Sequence, residues 1–274
     1  MTISKRDFLA AFAAGAASVS AGWQPSAADD RAAKMDHQHD MSAFPAHWHG
    51  SERIAFLAYP EFTALDLVGP HYMLGSMMGA SVYIVAKTRE PVASDMKLAI
   101  VPTATFDECP KDLDIICVPG GTNGTLAAMK DPATIAFLRD RGSRAKLVTS
   151  VCTGSLLLGA AGLLKGYRAT SHWLTRELLR DFGAEPVDQR VVVDRNRITG
   201  AGVTAGLDFG LSIVKQLRDE DYAKAVQLLA EYQPEPPLDA GTADRAGPAA
   251  AKLLTDMTAP FVDTVRTFAR TSTR

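Results

Sequence analysis

The segment LVTSVCTGSLLLGAAGLL places a thiol, Cys152, where a strand-like run gives way to glycine, serine and an apolar helix. A cysteine on a sharp strand-to-helix turn presents its sulfur at a helix start. There the positive end of the helix dipole and nearby backbone N–H groups lower the thiol pKa, and the thiolate is the form that attacks. Cys117, inside the apolar run DIICV, reads as core, and Cys109, in FDECPKD, reads as surface. The three cysteines form no CxxC pair, so neither a disulfide framework nor a zinc ribbon is indicated. Asp66 follows the strand-like RIAFLAYP, and Pro119-Gly120-Gly121 closes LDIICV. Ligands of open parallel sheets bind beyond the carboxyl ends of the strands, so these features and Cys152 mark one candidate site. Asp66 is placed to move a proton, or it is an acidic residue favoured in a helix's first turn. The glycine pair lets main chain approach a ligand closely, or makes a tight turn.

Such a site needs a sheet to carry it. From Arg53 onward short apolar runs alternate with helical patterns, which predicts an α/β fold with a mostly parallel sheet sandwiched by helices. RIAFLAYP, SVYIVAK, LDIICVPGG and KLVTSV read as buried strands, and LAIVPTATF as a more exposed strand or hairpin arm. LDLVGPHYMLGSMMG reads as a helix with Pro70 near its first turn. In DPATIAFLRDRGS, Asp131 is the N-cap and Pro132 the first helical residue. LTRELLRDFG reads as a helix stopped by glycine, RVVVDRNRITG as a hairpin, and two helices follow over TAGLDFGLSIVKQLR and DEDYAKAVQLLAEY. Beyond a Pro/Gly-rich connection, residues 236–274 end in a helical extension interrupted near Pro260 that packs on the body or on a second subunit.

The 274 residues allow one large domain with tails. With 47% hydrophobic and 22% charged residues and a net charge of -2, the composition is that of an ordinary globular protein. No basic block argues for nucleic acid, and no apolar run is long enough to sit permanently in a bilayer. Residues 1–30 carry a basic pair, an Ala/Gly/Phe-rich stretch and small residues near VSA, the layout of an export signal. Ser4-Lys5-Arg6-Asp7-Phe8-Leu9 resembles the twin-arginine signal with lysine in the first arginine's place, which implies a periplasmic destination rather than a cytoplasmic one. Residues 31–50 form a polar linker with His37, His39, His47 and His49; Met35 and Met41 flank the first pair. These residue types suit a soft or borderline metal, but no fixed ligand spacing occurs, so a solvated tether and no metal site are expected.

TSVCTGSLLLGAAGLLKGYRATSHW resembles the elbow region of the ThiJ/PfpI superfamily, whose fold is flavodoxin-like, that of class I glutamine amidotransferases. YPEFTALDLVGPHYML, ICVPGG, ITGAGVTAGLDFGL and VQLLAEYQPEPPLDAG match in order, covering 53 to about 245, so residues 51–235 are taken as the catalytic domain. The set is most similar to the isonitrile hydratases of that superfamily, cysteine enzymes that add water to an isocyanide to give an N-substituted formamide. The resemblance implies that Cys152 is the nucleophile, that Asp66 is the carboxylate facing it, and that Thr153 is the hydroxyl residue holding water or the intermediate, or merely capping the helix. Attack on the isocyanide carbon then gives a thioimidate that water opens. The Gly121 and Thr153 amides resemble an oxyanion-hole pair beside Gly120, and His172 stands where many relatives carry a histidine near the thiol. His172 is either a proton relay or a packed spectator, and Asp208 either orients it or serves its own helix. Asp95 and Met96 stand in ASDMKL, a stretch that lines the pocket in relatives and usually carries a glycine there, and Thr153 stands where the protease-like branch has histidine. A small-molecule substrate, no cofactor and a homodimer are implied. Glyoxalase or deglycase chemistry at the same thiol, or a ligand-binding or redox-sensing module, are the competing readings.

Overall fold

In a computed structural model of the chain, residues 44–272 are described, and the folded body begins at Pro45. The export segment, the linker as far as Ala43 with His37 and His39, and the last two residues lie outside the described residues. The central sheet has seven strands in the order β10-β11-β7-β6-β1-β2-β5. They are β1 (Arg53–Leu57), β2 (Ser81–Ala86), β5 (Ala104–Thr105), β6 (Ile115–Val118), β7 (Leu147–Val151), β10 (Val191–Asp194) and β11 (Arg197–Gly200). All neighbours are parallel except β10 and β11, which form the expected antiparallel hairpin. Short ladders pair β3 (Val92–Ala93) with β4 (Ala99–Ile100), and β8 (Arg168–Ala169) with β9 (Glu185–Pro186).

Burial explains why β1, β6 and β7 are the middle. β6 and β7 are buried throughout, and only Arg53 of β1 is exposed. A run apolar on both faces suits a strand covered by helices on both sides, and each buried Val, Leu, Ile or Phe stabilises by about 1.5–3 kcal/mol. The covering helices fall into two contact groups. One comprises α1 (Ala64–Gly75), α5 (Ala205–Leu217) and α6 (Glu220–Leu229); the other is built on α2 (Asn123–Met129), α3 (Pro132–Arg144) and α4 (Gly154–Ala160). Asp131 caps α3 as predicted, accepting from Thr134 N at 3.0 Å with Pro132 at the first turn. The flavodoxin-like, mostly parallel fold read from the sequence is the fold observed.

Several local expectations are corrected. Pro70 lies inside α1, not in its first turn; α1 passes through it because α5 packs against the proline, with a Cβ on Gly206 reaching 3.1 Å from Pro70 Cδ. Residues 176–182 form a 3-10 rather than an α-helix, ended by Gly183 at φ 75°. The closing helices are α7 (Ala243–Ala246) and α8 (Pro248–Ser272), and α8 runs through Pro260 without interruption. It packs on the body, against residues 176–182 and α2, and its Phe261, Val265 and Ala269 are buried. Cys109 is buried, not at the surface, because the Arg141 guanidinium bonds the Phe106 and Cys109 carbonyls and draws that loop onto α3. The linker's end is not a free tether either. Trp48 Nε1 donates to Asp219 at 2.8 Å, His47 sits 2.5 Å from the same carboxylate, and Arg218 bonds the Trp48 carbonyl.

Candidate active site

β7, β6 and β1 are adjacent and parallel, so the segments leaving their carboxyl ends converge. β7 delivers Cys152 directly. Its N–H is held by the Gly200 and Ala201 carbonyls at 3.0 and 2.8 Å, and its carbonyl accepts from the Ser155 and Ser171 hydroxyls. Cys152 has φ 59°, a left-handed conformation that costs a non-glycine residue free energy and persists only under such restraint. The elbow inferred from the sequence is therefore real backbone strain at the sulfur. Gly154 makes the turn possible: a Cβ there would lie 2.1 Å from the Val118 carbonyl oxygen, so α4 starts flush against the end of β6.

Asp66 reaches the same place from the first turn of α1. The Thr63 N–H bonds the Gly120 carbonyl at 2.8 Å, and Phe62 bridges Gly121, which ties the approach to α1 onto the turn after β6. Asp66 is fully buried, and its Oδ2 accepts from the Gly120 N–H at 3.0 Å. Burial pushes the carboxyl up to about 7; hydrogen bonds from Gly120 and Cys152 restrain the rise, and the Asp95 charge adds to it. The Cys152 thiol is pushed well above its ordinary value, first by burial and then by the Asp66 charge. The Thr153 and Val203 N–H groups on the sulfur pull the other way and lose. This corrects the expectation of a thiolate at rest, since a residue only 6% exposed beside a carboxylate gains more from staying neutral than two amides return. What the pair offers is a thiol and a carboxylate that share a proton near neutral pH.

The glycines and Thr153 act differently from the expectation. The Gly121 N–H donates to Thr153 Oγ1 at 2.9 Å, and that hydroxyl donates to the Gly121 carbonyl at 2.5 Å. Thr125 Oγ1 lies 3.0 Å from Thr153 Oγ1, and Tyr59 OH lies 3.0 Å from Thr125 Oγ1 while donating to the Pro119 carbonyl. Neither Gly120 nor Gly121 thus aims a spare N–H at a reacting oxygen: one holds Asp66, the other holds Thr153. The oxyanion pairing of Gly121 and Thr153 is replaced by a clasp between them, and the Thr153 hydroxyl is spent within it. Gly120 still has to be glycine, because a Cβ would meet Thr153 N at 2.6 Å and Asp66 Oδ2 at 2.9 Å.

His172 is not among the groups acting on the sulfur. Burial lowers its pKa, its Nδ1 accepts only a long 3.4 Å bond from Leu174 N, and its ring lies against Gly202, beside the Val203 amide that reaches Cys152. It supports that loop. Asp208 pairs with Arg190 and Tyr232, not with His172. The residues missed from the sequence are Val203, Ser171, Thr125 and Tyr59; a backbone amide has no side-chain signature, and the hydroxyls sit in unpatterned segments. Among the described residues no group of three His, Cys, Asp or Glu side chains lies close enough to hold a metal.

Known proteins show the same framework. A model of the DJ-1/PfpI family matches residues 52–216. The chain is 50% identical over 194 residues to isonitrile hydratase of Pseudomonas putida, covering 71% of this chain and 84% of that one. It is 30% identical over 148 residues to a deglycase of Pyrococcus furiosus, covering 54% and 88%. The crystal structure of a ThiJ/PfpI protein from Pseudomonas syringae superposes with a TM-score of 0.81 at 58% identity, over 85% of this chain and 96% of that one. A match this extensive, spanning the strands that deliver Asp66, Gly120 and Cys152, makes the chain a member of the DJ-1/PfpI family.

Proposed function

We propose that this protein hydrates isonitriles to N-substituted formamides, with Cys152 as nucleophile and Asp66 as the proton carrier. The observation that supports it most is the pairing of a buried thiol with a carboxyl held near 7, since this addition needs a proton handed from sulfur to carbon. Asp66, ionised, takes the thiol proton as sulfur bonds to the isonitrile carbon, and delivers it to that same carbon. The S–H bond breaks, C–S and C–H bonds form, and the product is a thioimidate, R–N=CH–S. Water then attacks the thioimidate carbon and gives a proton to Asp66, which passes it to nitrogen. The C–S bond breaks and the sulfur regains its proton. One water is consumed, no electrons are transferred, and the product is R–NH–CHO. The Thr153 and Val203 amides lie on the departing sulfur, where negative charge develops. The resemblance to an isonitrile hydratase at 50% identity supports the same reading.

The test is turnover of alkyl and aryl isocyanides, with glyoxal beside them, by wild type, Cys152→Ala and Asp66→Asn. Formamide production abolished in the first variant and cut by about 10²–10⁴ in the second is expected. Glyoxal consumption without formamide would favour the deglycase chemistry instead. The reading includes export: the Lys5-Arg6 signal-like segment supports a periplasmic location, checked by fractionating cells that express the full chain.

A further inference from the structure

A cavity of about 420 Å³ opens beyond the carboxyl ends of β1 and β2, and neither Cys152 nor Asp66 lines it. Its size is that of a small-molecule pocket and too small for a folded segment. Most of its wall is hydrocarbon: Tyr59, Val92, Phe106, Ala127 and Ala128 contribute, and the Phe106 ring is braced from behind by stacking on Phe137 at 4.3 Å. Lys87 and Asp131 on one side are paired with each other at 2.8 Å, which leaves the exposed Glu90 carboxylate as the remaining charge on the wall and disfavours an anion. Gly124 closes the cavity toward the elbow; a Cβ there would lie 2.4 Å from the Pro60 carbonyl, so α2 and the segment after β1 form one surface.

That surface leads to the sulfur. Tyr59 lines the cavity, and its hydroxyl begins the chain Tyr59, Thr125, Thr153, each step 3.0 Å. Thr153 in turn places an amide on Cys152. A molecule packed against Tyr59 and α2 restricts the first two members of this chain, Tyr59 and Thr125, whose side chains are both buried.

We propose that this cavity is a second ligand site, for a small, uncharged, mainly hydrocarbon molecule, and that its occupancy changes the reactivity of Cys152 through Tyr59, Thr125 and Thr153. The site is separate from the thiol, so it does not depend on which electrophile the thiol consumes.

Indole, neutral and aromatic, is the probe. Its binding to the full-length protein is followed by ligand-observed NMR and calorimetry, and the thiol is timed with iodoacetamide at zero and saturating indole. Saturable binding that survives alkylation of Cys152, with the alkylation rate shifted about fivefold or more by indole, is the expected result. Ala127→Trp and Ala93→Trp, at exposed positions on the cavity wall, should each remove both effects while leaving the indole-free rate unchanged. Benzoate should bind more weakly than indole. Absence of saturable indole binding, binding that persists in both filled variants, tighter binding of benzoate, or an alkylation rate indifferent to indole overturns the proposal.

Discussion

At the residue scale, the decisive feature is that Asp66 is raised and Cys152 is not lowered. Because the folded-state pKa of Asp66 is about 7 and its ordinary value 3.8, the folded chain holds a proton that the unfolded chain has released between these values. Its contribution to stability is therefore complete below about pH 4 and lost as pH rises to about 7, a swing on the order of 4 kcal/mol. Asp66→Asn removes the swing, so the difference in melting temperature between variant and wild type should grow in the variant's favour from pH 5 to 8. A constant difference would mean that the carboxyl ionises freely. In the proposed mechanism the same group also governs the rate: kcat/KM should rise from acid pH with an apparent pKa near 7, belonging to the thiol–carboxyl pair, and Asp66→Asn should lose that limb. Thr153→Val leaves the buried Gly121 N–H without its acceptor, a loss of about 1–3 kcal/mol readable by urea unfolding.

At the scale of elements, the site depends on how closely three segments approach. β6 and the start of α4 touch at Gly154, where a methyl group would be driven into the Val118 carbonyl. Gly154→Ala should cost about 3 kcal/mol and rotate the elbow, so denaturant midpoint and thiol alkylation rate fall together. An alkylation rate at the wild-type value would show that the elbow does not need that contact. α1 offers a second case. Pro70 cannot donate to the Asp66 carbonyl four residues earlier, so the helix turn that carries the site carboxylate lacks one of its bonds and relies on packing against α5 for its position.

At the scale of the molecule, the residues before β1 are fastened to the far end of α5. The Arg218 guanidinium, 2% exposed, makes paired bonds of 2.6 and 2.7 Å with Glu52 and also holds the Trp48 and Met78 carbonyls. The Arg218 hydrogen bond is the chief reason that the Glu52 carboxyl sits below its ordinary range. Arg218→Met strands a half-buried carboxylate, and a loss of about 3–5 kcal/mol in chemical unfolding is expected. Assembly is a proposal at this scale. Leu65, Val68 and Tyr72 stand exposed along one side of α1, at 38, 37 and 43%, next to the turn that bears Asp66. A second copy covering them gives a dimer by light scattering, and Val68→Lys should return it to monomer; an unchanged mass for the variant would place any dimer contact elsewhere.

The buried strands of a mostly parallel sheet, the elbow and the three points that converge on it were legible in the chain, because buried strands read as unbroken apolar runs and a turn this tight demands glycine; the order of the strands was not. The reading of the Lys5-Arg6 segment as an export signal falls outside the described residues. Pro70 and Pro260 misled, since proline reports a missing bond locally while neighbouring helices decide whether the helix survives it. Cys109 misled for the same kind of reason: its polar neighbours said nothing of Arg141, thirty-odd positions away. The sequence by itself determined that Asp66, the glycine pair and Cys152 meet at the ends of β1, β6 and β7. Only the tertiary structure decided their protonation and their partners, because a pKa follows from how much water is excluded, and a hydrogen bond from which donor arrives first in space.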